Sequence, residues 1–438
     1  MAASPTPVDT PTGHPAERMS TGARAVAVIV CWLLIVFDGY DLIVYGTVKP
    51  SLIEEWGLSQ GTAGTLGSAA FLGMMIGAVT AGRLSDGLGR RTTVLLCTLV
   101  FSVATVACAF AHDPVTFGIL RLIAGLGLGG LVPSANALAA DLVTVRWRST
   151  MATLMMSGVP IGGSLAALTG IPVIPADWFD IAGWRWMFVF PVIALIVLMP
   201  LAAAYIPKSL NRPEQHAIPG APAVGHAKQG FGALLRPPYL TMSILFAVAT
   251  LATLFAWYGL GTELPNLMKL QGAQLGGALV FALVLNLGAV LGSVVTAWAG
   301  DRFGPIATGM VAAALAAVGL FVIMVTPPSN VFLIYVMLVL AGVGTHGTQC
   351  VIIGAITLYY PNQIRGTALG WALGVGRIGA VLAPQTAGLI LGSYADPADG
   401  VYPVFMVFAG AALVSAILLL VLLPVIRRVT ARPASRAA

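Results

Sequence analysis

The sequence predicts an all-α membrane protein, with twelve transmembrane helices arranged as two pseudo-symmetric six-helix bundles. Three observations lead there. The 438 residues are 58% hydrophobic and only 9% charged, with a mean hydropathy of +0.93, whereas soluble chains average about 25% charged residues. Twelve apolar stretches are each long enough to cross about 30 Å of hydrocarbon. The third observation is an internal repeat: Asp86-Gly87-Leu88-Gly89 in one polar loop returns as Asp301-Arg302-Phe303-Gly304 in another, 215 residues later. The net charge of +6 does not indicate nucleic acid, because the basic residues sit in short loops between apolar spans.

Residues 1–22 are rich in Pro, Thr, Ala and Ser and lack the short apolar core of a signal peptide, so a disordered cytoplasmic tail is expected. The first bundle, 23–206, holds apolar stretches at 25–48, 62–82, 92–111, 115–140, 149–172 and 184–206. Residues 207–238, rich in Pro, Gly, His and Ala without apolar period, read as a cytoplasmic linker. The second bundle, 239–426, holds stretches at 239–260, 274–299, 305–326, 330–358, 366–391 and 401–426, and 427–438 form a second tail. Seventeen Lys and Arg fall on the side of the N-terminus, against Lys49, Arg185 and Lys269 on the other. By the positive-inside rule both termini are cytoplasmic. The four cysteines lie in apolar segments without metal spacing and read as small buried hydrophobes. No metal or cofactor is expected.

Within the first span, Asp38 and Asp41 are three residues apart, which places both carboxylates on one helix face near mid-membrane. An ionised carboxylate there costs at least about 2.5–3.5 kcal/mol. The pair therefore faces a protein-lined or aqueous interior, and mutual repulsion favours protonation of one member. A structural acid pair locking span one to a neighbour is the alternative. Tyr45, four residues beyond Asp41, shares that face and either borders the interior or packs as an ordinary aromatic.

Arg121 in span four and Arg377 in span eleven are the two basic residues inside spans. Each presents a planar fork suited to a carboxylate, either that of an anionic substrate or that of Asp38 or Asp41. Arg377 is the favoured substrate ligand. Trp257 and Tyr258, with Phe255, form an aromatic group in span seven that either stacks on a ring or belongs to the interfacial belt. Asn286 in span eight, and His346 with Gln349 in span ten, are polar groups at depths where side chains face the interior.

The loop Gly82-Arg83-Leu84-Ser85-Asp86-Gly87-Leu88-Gly89-Arg90-Arg91, the Arg121-to-Gly129 run of span four, the twelve spans and the half repeat together resemble the major facilitator superfamily. The Asp38-Gly39-Tyr40-Asp41 motif resembles the aromatic acid:proton symporter branch, and within it the benzoate transporters. The resemblance implies a monomeric, multi-pass plasma-membrane carrier that takes up a benzoate- or hydroxybenzoate-type carboxylate with protons by alternating access. It implies proton coupling at Asp38, Asp41 and Arg121. It also implies a gate at Asp86, Gly89 and Arg90, with Asp141 as acidic partner and Asp301 as the second-half copy. That copy lacks the arginines, since Pro305 follows Gly304, so its latch is expected to be weaker.

The rival on the same scaffold is a proton-coupled carrier or antiporter of an aliphatic acid, sugar or drug. An intramembrane aspartyl enzyme needs two aspartates converging from different helices, whereas Asp38 and Asp41 share one; no Ser/His dyad offers another catalyst. The chain reads as a transporter, not an enzyme.

Overall fold

The computed structural model describes residues 19–143, 148–176, 179–207, 231–327 and 329–430. The first half contains α1 (Thr21–Trp56), α2 (Gln60–Leu88), α3 (Arg90–Cys108), α4 (Pro114–Leu142), α5 (Arg148–Val173), and two short helices, α6 (Gly183–Met187) and α7 (Met199–Tyr205). The second contains α8 (Leu240–Leu270), α9 (Leu275–Phe303), α10 (Pro305–Val325), α11 (Val331–Tyr359), α12 (Asn362–Ser393) and α13 (Val401–Thr430). Most of the expected N-terminal tail and linker, and 431–438, lie outside the described residues.

Local chemistry sets the helix starts. Ser20, Ser59, Asp113 and Asn330 each accept a hydrogen bond from a backbone N–H of the first turn that follows. Pro114 follows Asp113 at the first helical position, where its missing N–H costs nothing. The internal repeat appears as a shared hinge. Gly89 (φ 83°) joins α2 to α3 and Gly304 (φ 90°) joins α9 to α10, in a backbone region that glycine alone enters without strain. The packing repeats too: α2 lies on α4 as α9 on α11, α1 on α5 as α8 on α12, and α3 on α4 as α10 on α11.

Eleven helices among the described residues are long and apolar enough to cross a membrane. The sixth stretch, expected as one helix over 184–206, departs from this. After α6 the chain advances through three-residue turns (Phe188 N–H to Arg185, Val189 to Trp186, Val192 to Val189), then a π-helical turn at Ala194–Leu198, before α7. Pro191 is the physical reason, since it has no N–H to continue the ladder. Arg185 fixes the start of this segment by donating to the Ala109 and Ala111 carbonyls and to Glu55.

The halves meet through α1 on α8, α2 on α12 and α5 on α9. Their described polar contacts gather from mid-helix toward the end opposite the Gly89 and Gly304 hinges. There Lys49 meets Glu263, Lys269 meets Glu54, Asn266 donates to Gln60, Thr65 to Gln385, and Ser68 to the Val381 carbonyl. Large outward side chains are apolar, as at Val79, Val294, Trp298 and Leu420, which suits contact with lipid.

Candidate functional site

The two acids of span one take different partners. Asp41 is fully buried and held from two helices: Thr105 on α3 donates to Oδ1 at 2.6 Å, and Arg121 on α4 donates to Oδ2 at 2.8 Å. A second guanidinium nitrogen reaches the Asp41 carbonyl oxygen at 3.0 Å, and Phe188 covers the guanidinium with its ring centroid 5.9 Å away. Thr105 and Arg121 together occupy both carboxylate oxygens, so this carboxylate is a closed, charge-compensated unit.

Asp38 is also fully buried, yet neither carboxylate oxygen has a hydrogen-bond partner among the described residues. The charge of Arg377 acts on it, as does that of Asp41. Arg377, half-buried on α12, has no ion-pair partner among the described residues; it lies beside the Tyr258 hydroxyl and against the Met74 sulfur. Tyr258 packs on Phe71 at 4.8 Å between ring centroids. Asp38, Arg377 and Tyr258 thus bring α1, α12 and α8 together between the halves, with an unpaired acid opposite an unpaired fork.

One residue before Tyr258, Trp257 stands against His346, with ring centroids 5.0 Å apart. His346 also reaches the main chain of Met156 on α5, so it lies between the halves. The His346 Nε2 and both polar atoms of Gln349 are buried without hydrogen-bond partners.

Two expected residues are held by other contacts. The Tyr45 hydroxyl donates to the Ala63 carbonyl at 2.5 Å and its ring faces Phe117, so it packs within the first half. Asn286 donates to the Ala282 carbonyl of its own helix, and its side-chain oxygen lies against Gly163 of α5. Among the gating residues, Arg90 pairs with Asp141. This contact joins α3 to α4 inside one half. Gly89 is the hinge, Asp301 is exposed near the end of α9, and the Asp86 side chain lies outside the described residues.

Sequence reasoning missed Glu263 and Thr105. It also read Lys49 as an outer loop residue. Lys49 and Glu263 are both inaccessible to solvent and pair at 2.5 Å across the halves. The available signal was an acid just beyond the expected end of span seven and a lysine just beyond span one. Both lie beyond the stretches read as spans, where a charged residue reads as a solvated loop position. At about 1.5 Å per residue, the 36 residues of α1 extend roughly 54 Å, far beyond the hydrocarbon thickness. Thr105 gives no such signal, because threonine is ordinary in membrane helices.

Two repeated bundles with buried charge at their junction define a membrane carrier, a plan with its site between repeats. The sequence pattern of the Major Facilitator Superfamily matches residues 31–384 and 284–438, and the chain belongs to that family. It is 54% identical to the gentisate transporter of Corynebacterium glutamicum, over 92% of this chain and 88% of that protein. It is 30% identical to the benzoate transport protein of Acinetobacter baylyi, over 83% of each. Among solved structures, a D-xylose–proton symporter matches with a TM-score of 0.73 at 18% identity, covering 90% of this chain and 97% of that one. A bacterial homologue of the lysosomal transporter Spinster, inward-facing, matches at 0.71 and 18% identity, covering 94% and 98%. The chain is therefore a multi-pass membrane transporter and not an enzyme.

Proposed function

We propose that the protein takes up a benzoate- or hydroxybenzoate-type carboxylate together with protons, across the plasma membrane and as a monomer, with both termini in the cytoplasm. The relatives that transport gentisate and benzoate support the cargo class, and the distribution of Lys and Arg supports the orientation. The observation that carries proton coupling is Asp38, fully buried with no hydrogen-bond donor among the described residues, while its neighbour Asp41 is fully engaged. Taking up a proton relieves the cost of holding that charge out of water.

In this reading the substrate carboxylate pairs with Arg377, and its ring packs near Tyr258 and Phe71. With Asp38 ionised, Arg377 serves the internal acid; with Asp38 protonated, the fork is free for cargo. An inward-negative potential of 100 mV opposes entry of a lone anion by about 2.3 kcal/mol, and one accompanying proton cancels this. Alternating access then requires the outer end to part, which separates Lys49 from Glu263 and Lys269 from Glu54. Arg90, Asp141 and the Gly89 hinge move as a unit at the cytoplasmic end.

The test is uptake of labelled benzoate and gentisate by vesicles under an imposed pH gradient. The native protein is expected to accumulate label. Asp38→Asn is expected to lose gradient-driven accumulation and keep exchange of internal for external substrate. Full accumulation by Asp38→Asn would overturn the coupling role, and absence of aromatic acid transport by the native protein would overturn the cargo.

A further inference from the structure

Three faces of α11 meet different neighbours: α10, α9 and, through His346, the Trp257 ring of α8. Gly344 and Thr348 press on α10, where Thr348 bonds the Gly309 carbonyl at 3.3 Å. Gly342 and Gly347 press on α9, at Leu285 and Thr296. The remaining face carries His346 and Gln349, both more than nine-tenths buried. Three of their polar atoms have no hydrogen-bond partner among the described residues: His346 Nε2, Gln349 Nε2 and Gln349 Oε1. Met156, which His346 reaches, connects to Asn136 of α4, whose amide nitrogen lies 4.0 Å from the sulfur and whose side-chain oxygen also lacks a partner among the described residues. Gln349 follows His346 by one turn, and Asn136 is linked to His346 through Met156. Each unmet donor or acceptor among them costs free energy when dry, so a polar ligand that meets them is favoured.

His346 packs on the Trp257 ring, and the next residue, Tyr258, touches Arg377. The site therefore has two poles joined by consecutive aromatics. One is charged and suited to a carboxylate. The other is neutral, offers both donors and acceptors, and has the chemistry of a receptor for hydroxyl groups. We propose that His346, Gln349 and Asn136 bind the ring hydroxyls of the cargo and make the carrier selective for hydroxylated over unsubstituted aromatic acids. The proposal rests on the aromatic-acid reading above and adds to it the groups that choose among such acids.

Binding to the purified protein tests it, with benzoate, 3-hydroxybenzoate and gentisate measured by calorimetry and thermal shift on the native form, Gln349→Leu and His346→Phe. The native protein is expected to favour gentisate over benzoate about tenfold or more. Gln349→Leu is expected to bring that ratio near unity while leaving benzoate affinity within about twofold. The unliganded Gln349→Leu form is expected to melt no lower than native, since it removes buried atoms that lack partners. His346→Phe supplies the same comparison should the leucine variant not be recovered. An unchanged ratio in the recovered variants, or an equal loss of benzoate and gentisate, overturns the proposal, as does a lower melting temperature for both. If the native protein binds none of the three acids, the cargo reading itself has failed.

Discussion

Replacing Glu263 by glutamine removes one member of an ion pair whose partners both have no solvent contact. Lys49 is then left charged inside the protein, with no acid hydrogen-bonded to it. Breaking such a pair from one side costs about 3–5 kcal/mol. That cost applies to the state in which α1 and α8 are in contact at the end opposite the Gly89 and Gly304 hinges. Once the end opens, both side chains reach water, and the substitution matters little. The difference falls on the equilibrium between the two states, and at about 1.4 kcal/mol per factor of ten it amounts to roughly two to three and a half orders of magnitude toward opening of that end. The assay is a spin-label distance measurement between His112→Cys and Gln274→Cys, exposed positions at that same end of opposite halves, with Cys350 replaced by serine. The Glu263→Gln protein is expected to move from the short to the long distance. Exchanging the charges, Lys49→Glu with Glu263→Lys, is expected to move it back. A folded Glu263→Gln protein with the native distance distribution would refute the reasoning.

Thr105→Val removes a donor to the Asp41 carboxylate and is expected to cost about 1.5–3 kcal/mol, visible as a lower melting temperature in detergent. At Gly46 an added Cβ would run into the Gly261 carbonyl and come within 2.8 Å of the Thr262 Cα. Gly46→Ala should therefore cost the closed state about 1–3 kcal/mol and lengthen the same spin-label distance. Arg377→Lys keeps the charge and loses the fork, so the half-saturating benzoate concentration is expected to rise by about tenfold or more in vesicle uptake. At the start of α4, the Thr116 hydroxyl and the Thr116 and Val115 N–H groups hold the Asp113 carboxyl below its ordinary range. Its contribution is thus complete above the usual carboxylate range and is lost as pH falls through the folded-state value. Hydrogen exchange of the first turn of α4 should quicken in acid, and Asp113→Asn, which keeps a capping oxygen, should remove that dependence.

Spans and repeat were legible because they depend on composition and local chemistry. A run of apolar residues must be covered, and the glycines at 89 and 304 are required by backbone geometry wherever the rest of the chain goes. The depth of Asp38 and Asp41 was legible for the same reason. Their unequal roles were not. Spacing along one helix says that they share a face, but the residues that engage Asp41 come from positions 64 and 80 residues away. The Lys49–Glu263 pair was hidden by helices that continue past the hydrocarbon, where a charged residue reads as the end of a span. Pro191 was in plain view inside an apolar run, yet membrane helices often tolerate proline. Only the turns around it show that this one is not tolerated.

Glu54 and Lys269 occupy equivalent places in the two repeats, separated by the same 215 residues as the aspartates of the repeated loop, and they touch. Equivalent residues can touch only beside the rotation axis that relates the copies. Had the repeats kept one sequence there, like charge would face like charge. Two first halves brought together would set Glu54 against Glu54, and two second halves Lys269 against Lys269. The divergence of a duplicated position into opposite signs thus gives each half a preference for its counterpart over another copy of itself.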